Sequence, residues 1–174
     1  MIRLLPALAF ALSVAASAAA QPPPASAIRG LSEGEIEELR EGRGMGLARA
    51  AELHGYPGPR HVLDAVEAGQ LHLNPEQLRT VRQLFERMSG EARRLGGAIL
   101  TEEQALEAAF RTGAIEEGAL RARVGRIAAL RGELRAVHLR AHLEARALLT
   151  DQQIERYRQL RGYTREGDRH PGRH

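Results

Sequence analysis

Apolar residues recur along the middle of the chain with a helical beat. From Leu78 they fall at Val81, Phe85, Met88, Ala92, Leu95, Ile99, Leu106 and Phe110, and Glu102 takes one expected apolar place. Steps of three and four residues sustained this long predict a long helix laid against another helix. From Asn74 to Arg111 it would span about 55 Å at its usual rise per residue. A second run, Ala114 to Leu148, keeps the period at Leu120, Val124, Ile127, Leu130, Leu134, Val137, Ala141 and Leu148. Only Thr112-Gly113 separates the two, so they should fold back as an antiparallel hairpin.

Shorter helical patterns flank this pair: Ser32 to Glu41, with Ile36 and Leu39 apolar, then Leu47 to His54, then His61 to Ala68. The stretch Gly55-Tyr56-Pro57-Gly58-Pro59 is a firm break between the last two. A final helix should run from Asp151 to about Arg161. The fold class expected is all-α, a long antiparallel helical hairpin with short flanking helices.

Three helix starts are written out in full. Ser32 with Glu35 is a capping box. At the head of the first long helix, Asn74 is the N-cap, Pro75 suits the first turn, Gln77 reaches back, and Leu73 with Leu78 forms a hydrophobic staple. Leu149-Thr150-Asp151-Gln152-Gln153-Ile154 repeats that device before the last helix.

The ends of the chain read differently. Residues 1–20 have a leader's pattern: Arg3, an apolar run from Leu4 to Val14, and Ala18-Ala19-Ala20 as a cleavage site. Retention of this leader as an anchor is the alternative to cleavage. Residues 21–30 read as a Pro/Ala-rich linker, 31–163 as the helical domain, and 164–174 as a disordered polar tail.

Composition narrows the chemistry. There is no cysteine, which excludes thiolate metal sites, thiol catalysis and disulfides. Every basic residue is Arg, and the net charge is only +3. With aromatics at 3% and no Trp, nothing supports stacking on bases, and no nucleic-acid partner is expected. An enzyme is not expected either: there is no nucleophile elbow, phosphate loop or His-Glu-x-x-His, and Ser26, Ser32 and Ser89 have no triad setting.

Leu149-Thr150-Asp151-Gln152-Gln153 is an LTxxQ motif, and Leu73-Asn74-Pro75-Glu76-Gln77 is the same motif with Asn for Thr. In these two copies, and in the helix order from about Leu47 to Tyr163, the chain resembles the Spy/CpxP superfamily of periplasmic stress proteins. That superfamily includes zinc-resistance-associated proteins and periplasmic heavy-metal sensors. The resemblance implies a periplasmic homodimer acting as an ATP-independent chaperone for unfolded or misfolded envelope proteins. Its alternative implication is a heavy-metal sensor or resistance protein with a signalling partner in the membrane. The motif residues themselves read as structural, since they cap helices and fix chain entry.

His138 and His142 stand four apart on the second long helix, so one helix face presents two imidazoles that can share a metal ion. Sensors of the resembling family carry such a His-x3-His or His-x3-Met pair before the second LTxxQ motif. The helical angle puts His138 at the edge of the apolar stripe and His142 further towards solvent. Two ligands do not complete a site. Further donors would come from His54, His61 or Asp64 near the Pro/Gly break, from Glu102, or from a second subunit. The ion would be divalent zinc, nickel or copper, and no other cofactor is implied. Chance spacing among seven histidines is the competing explanation, and the sequence leaves both open. Glu102, an acid in an apolar seam, is expected to pair with Arg123 and Arg126 on the facing helix. The Arg-rich faces, interleaved with Glu, read as a solvated surface or as a cationic rim for acidic clients.

Overall fold

The computed structural model describes residues 28–163, and the leader, most of the linker and the tail lie outside them. Within these residues six helices follow one another: α1 (Glu33–Glu41), α2 (Arg49–Leu53), α3 (Pro59–Glu67), α4 (Pro75–Arg111), α5 (Glu117–Leu148) and α6 (Asp151–Leu160). Helices α4 and α5 form the expected antiparallel hairpin. Helix α5 begins three residues later than its pattern suggested, and Thr112 to Glu116 make the connection. Among the described residues, no helix is long and apolar enough to cross a membrane.

All three capping boxes form. Ser32 accepts from the Glu35 amide, Asn74 from that of Gln77, and Thr150 from that of Gln153, with each third residue reaching back. Two of these boxes are also joined to each other. Gln77 Nε2 donates to Gln153 Oε1 at 3.0 Å, and Gln153 Nε2 donates to Gln77 Oε1 at 3.1 Å. The same amides donate to the Leu148 and His72 carbonyls at 2.9 and 2.8 Å. The two motif copies therefore meet as one joint between the heads of α4 and α6. Beneath it Val62, Leu71, Val81, Leu149, Ile154 and Tyr157 pack as one buried cluster.

A second cluster lies where α1 crosses the hairpin: Leu39, Ala92, Leu95, Ile99, Leu134 and Val137. Backbones nearly touch there. A Cβ on Gly96 would sit 1.8 Å from the Leu39 carbonyl oxygen, and one on Gly42, whose φ is +65°, would sit 2.7 Å from the Arg93 amide nitrogen. Only glycine permits this approach.

The packed seam of α4 departs from the predicted one in two places. Leu84 is buried where Phe85 was expected, and Phe110 is 56% exposed. A straight helix drifts by about 20° per heptad against a strict seven-residue repeat. In addition α4 packs against α1 and α3 as well as α5, so its buried face is wider than one seam. Val124, at 48% exposure, likewise falls outside the core.

Glu102 behaves as expected. Its carboxylate meets Arg123 at 3.1 Å and Arg126 at 3.5 Å. Replacing Gly96 with Ala should cost about 3 kcal/mol, because α1 must lift off the hairpin. Urea unfolding of the two proteins measures this, and equal midpoints would contradict the close crossing.

Candidate metal centre

The five residues between α2 and α3 determine what α5 can do. Tyr56-Pro57-Gly58 leaves α2, passes over α5, and brings the Tyr56 carbonyl to 2.8 Å from His142 Nδ1. A carbonyl can only accept, so Nδ1 carries a proton, and in the neutral ring Nε2 keeps its lone pair. This is the arrangement by which an outer hydrogen bond prepares a histidine for a metal. The loop also buries the ring. His142 is 6% exposed and His138 4%, so the expectation that His142 turns towards solvent is corrected. The reason is tertiary: a single-helix projection cannot see the loop that covers it.

Both histidines line a cavity of about 790 Å³ bounded by α5, α4, the α1–α2 segment and the α2–α3 loop. His138 Nε2 is buried there without a hydrogen-bond partner. Gly58 leaves room beside His142. A Cβ at that position would lie 3.1 Å from His142 Nε2 and 3.4 Å from Glu52 Oε1, so an imidazole and a carboxylate face the same small space.

Glu52, on α2, divides its two oxygens. Oε2 accepts from the Tyr163 hydroxyl at 3.2 Å and lies 3.7 Å from the Arg161 guanidinium. Oε1 is 3.3 Å from His61 Nε2. The segment after α6 thus steadies one oxygen and leaves the other turned to the histidines.

Of the four histidines singled out from sequence, His138, His142 and His61 share the cavity wall. His54, at the end of α2, is exposed and lies outside that wall. Asp64 is held by Arg60 at 2.9 Å, and Glu102 by its arginines. Among the described residues, no three His, Asp or Glu groups converge tightly enough to close around one ion. The donors are of the right kind: a buried orphan imidazole, a second imidazole with a fixed tautomer, and a carboxylate across an empty cradle. Glu52 and Gly58 were not legible as site residues, because Glu52 follows an ordinary helical pattern and Gly58 reads only as a break.

An all-α hairpin whose α4 and α6 start in paired capping boxes, one LTxxQ and one with Asn for Thr, defines the class: the Spy/CpxP-like helical superfamily. Within it, a family model described as heavy-metal resistance matches residues 42–156, and the chain belongs to that family. No curated protein and no solved structure matches the chain.

Burial pushes the His138 imidazole below its usual titration range, with the neighbouring His142 adding to the effect. His61 is lowered too, by burial and then by Arg161. A histidine lowered on folding binds its proton more weakly than in the unfolded chain, so the unfolded state gains protons as pH falls below about 6.5. Stability conferred by the neutral rings is therefore present above that value and lost beneath it. Metal-free protein should lose stability between about pH 7 and pH 5.5, with a shallower loss in His138→Phe. Denaturant midpoints across that range measure this, and identical slopes would remove His138 from the explanation.

Proposed function

We propose that the protein is a periplasmic heavy-metal-binding protein that captures a divalent ion at His138 and His142, with Glu52 and His61 as further donors. The observation that carries this reading is the pair of buried imidazoles lining one cavity. His142 Nε2 is freed by the Tyr56 carbonyl and His138 Nε2 has no partner. Heavy-metal resistance as the family's description supports it. Zinc, nickel and copper all suit imidazole with a carboxylate. Capture would serve to buffer the ion or to signal it to a membrane partner, and the cavity's link to the segment after α6 offers a route for that signal. A homodimer is proposed on the family resemblance alone.

Calorimetry on chelator-treated protein tests this. Wild type should bind one ion tightly, and His138→Ala/His142→Ala should lose that binding. Gly58→Ala places a methyl in the cradle with an ordinary backbone conformation, and it should weaken binding by about tenfold or more. Heat signals unchanged in both variants would overturn the proposed site.

A chaperone role is the second reading, and one feature favours it. Phe110 and Val124 stand exposed at the open end of the hairpin, with Leu106, Ile115 and Leu120 only partly covered and Arg111 and Arg121 beside them. Apolar patches rimmed by charge suit weak binding of unfolded chains. Phe110→Ser/Val124→Ser should then reduce ATP-independent suppression of client aggregation while leaving metal binding intact. Equal suppression by wild type and variant would argue against this surface.

A further inference from the structure

The chain has three methionines, and apart from Met1 both of them, Met45 and Met88, line the same cavity as His138. Met88 packs against the cluster that holds Leu134 and Val137 and also against the one that holds Ala141 and Ala145. That places it on α4 at the level of α5 where His138 stands. Met45 packs on the first of these clusters from the α1–α2 segment. Its φ is 44°, the one positive value at a non-glycine among the described residues. A side chain in the left-handed region costs about 1–2 kcal/mol, and such strain gathers at ligand sites. Gly44 and Gly46 flank it, so a residue free of that cost stands on either side, yet the turn carries a thioether.

Charge separates two parts of the cavity. Glu52 supplies an anion near His142 and His61, while Glu41, the other acid in the wall, is ion-paired with Arg43. Arg49 also lines the wall, together with Arg43, Arg60 and Arg161, which are ion-paired with Glu41, Asp64 and Glu52. Arg49 opposes an entering cation, and a dication twice as strongly as a monocation. Beside Glu52 that repulsion is offset. Elsewhere on the wall stand neutral donors: the His138 imidazole and two thioethers.

We propose that His138 Nε2, Met45 and Met88 form a soft site for a monovalent d10 cation, Cu(I) or Ag(I). Thioethers select these ions over harder divalent ones, and neither donor type must lose a proton to bind them. The proposal rests on the reading above only in taking His138 as a ligand. It explains why a buried ring nitrogen has no protein partner, and why the chain's sulfur outside Met1 is gathered at one wall.

The test uses the full chain labelled with 13C at the methionine methyl groups, titrated separately with Ag(I), which is redox-inert, and with Zn(II). One equivalent of Ag(I) should shift the Met45 and Met88 methyl signals and leave Met1 in place. Met88→Leu keeps the volume of the side chain. It should bind Ag(I) at least tenfold more weakly and Zn(II) within twofold of wild type, and His138→Gln should also weaken Ag(I). Methyl signals indifferent to Ag(I), or Ag(I) affinity unchanged in Met88→Leu, would make the two methionines ordinary core residues. If Zn(II) still binds in that case, the soft site alone is wrong. If neither ion binds, the divalent reading falls with it.

Discussion

The reciprocal amide pair between Gln77 and Gln153 is the contact on which the rest of the molecule depends. Each side chain closes a capping box on its own helix and then spends its amide hydrogens on the other copy of the motif and on a backbone carbonyl. A half-buried amide must satisfy both its oxygen and its nitrogen, and here each group does so through the other. That requirement fixes where α6 starts relative to α4. It also sets the course of the chain beyond α6, which returns Arg161 and Tyr163 to Glu52 on α2. A motif that looks like two separate helix starts is one joint, and the joint orients the wall of the cavity.

The cavity is then a consequence of which backbones may approach each other. Gly96 and Gly42 let α1 settle on α4, which positions the α1–α2 segment and Met45. The proline-bracketed loop lays its carbonyl on His142 and holds Gly58 open beside it. Two imidazoles on consecutive turns of α5 are thus enclosed by segments distant in sequence. Burial lowers the proton affinity of His138, and the Tyr56 carbonyl holds the His142 proton on Nδ1. Two buried imidazoles of this kind suit a soft or borderline cation.

The hairpin, the six helices and the caps were legible because each is written locally: an apolar period, an N-cap, a residue reaching back to it. The Glu102 pairing was legible too, since an acid in an apolar seam calls for a cation opposite. The site was legible only in part. His138 and His142 announce themselves by spacing, and His61 by its place beside the Pro/Gly break. Glu52, Gly58, Met45 and Met88 do not, because their significance arises from neighbours far along the chain. Met88 sits at an ordinary apolar position of α4, and nothing local marks it as a cavity residue. The misjudged exposure of His142 has the same origin, as does the shift from Phe85 to Leu84, where α4 serves three partners at once.

The tautomer of His142 is the most direct test of this account. Long-range proton–nitrogen correlation spectra of the metal-free protein at neutral pH would resolve its two ring nitrogens, with assignment by single-histidine variants. The account predicts a protonated Nδ1 and an unprotonated Nε2, with the Nε2 signal moving when zinc is added. A ring protonated at Nε2, or an Nε2 signal unmoved by zinc, would contradict the idea that the α2–α3 loop prepares this histidine as a ligand.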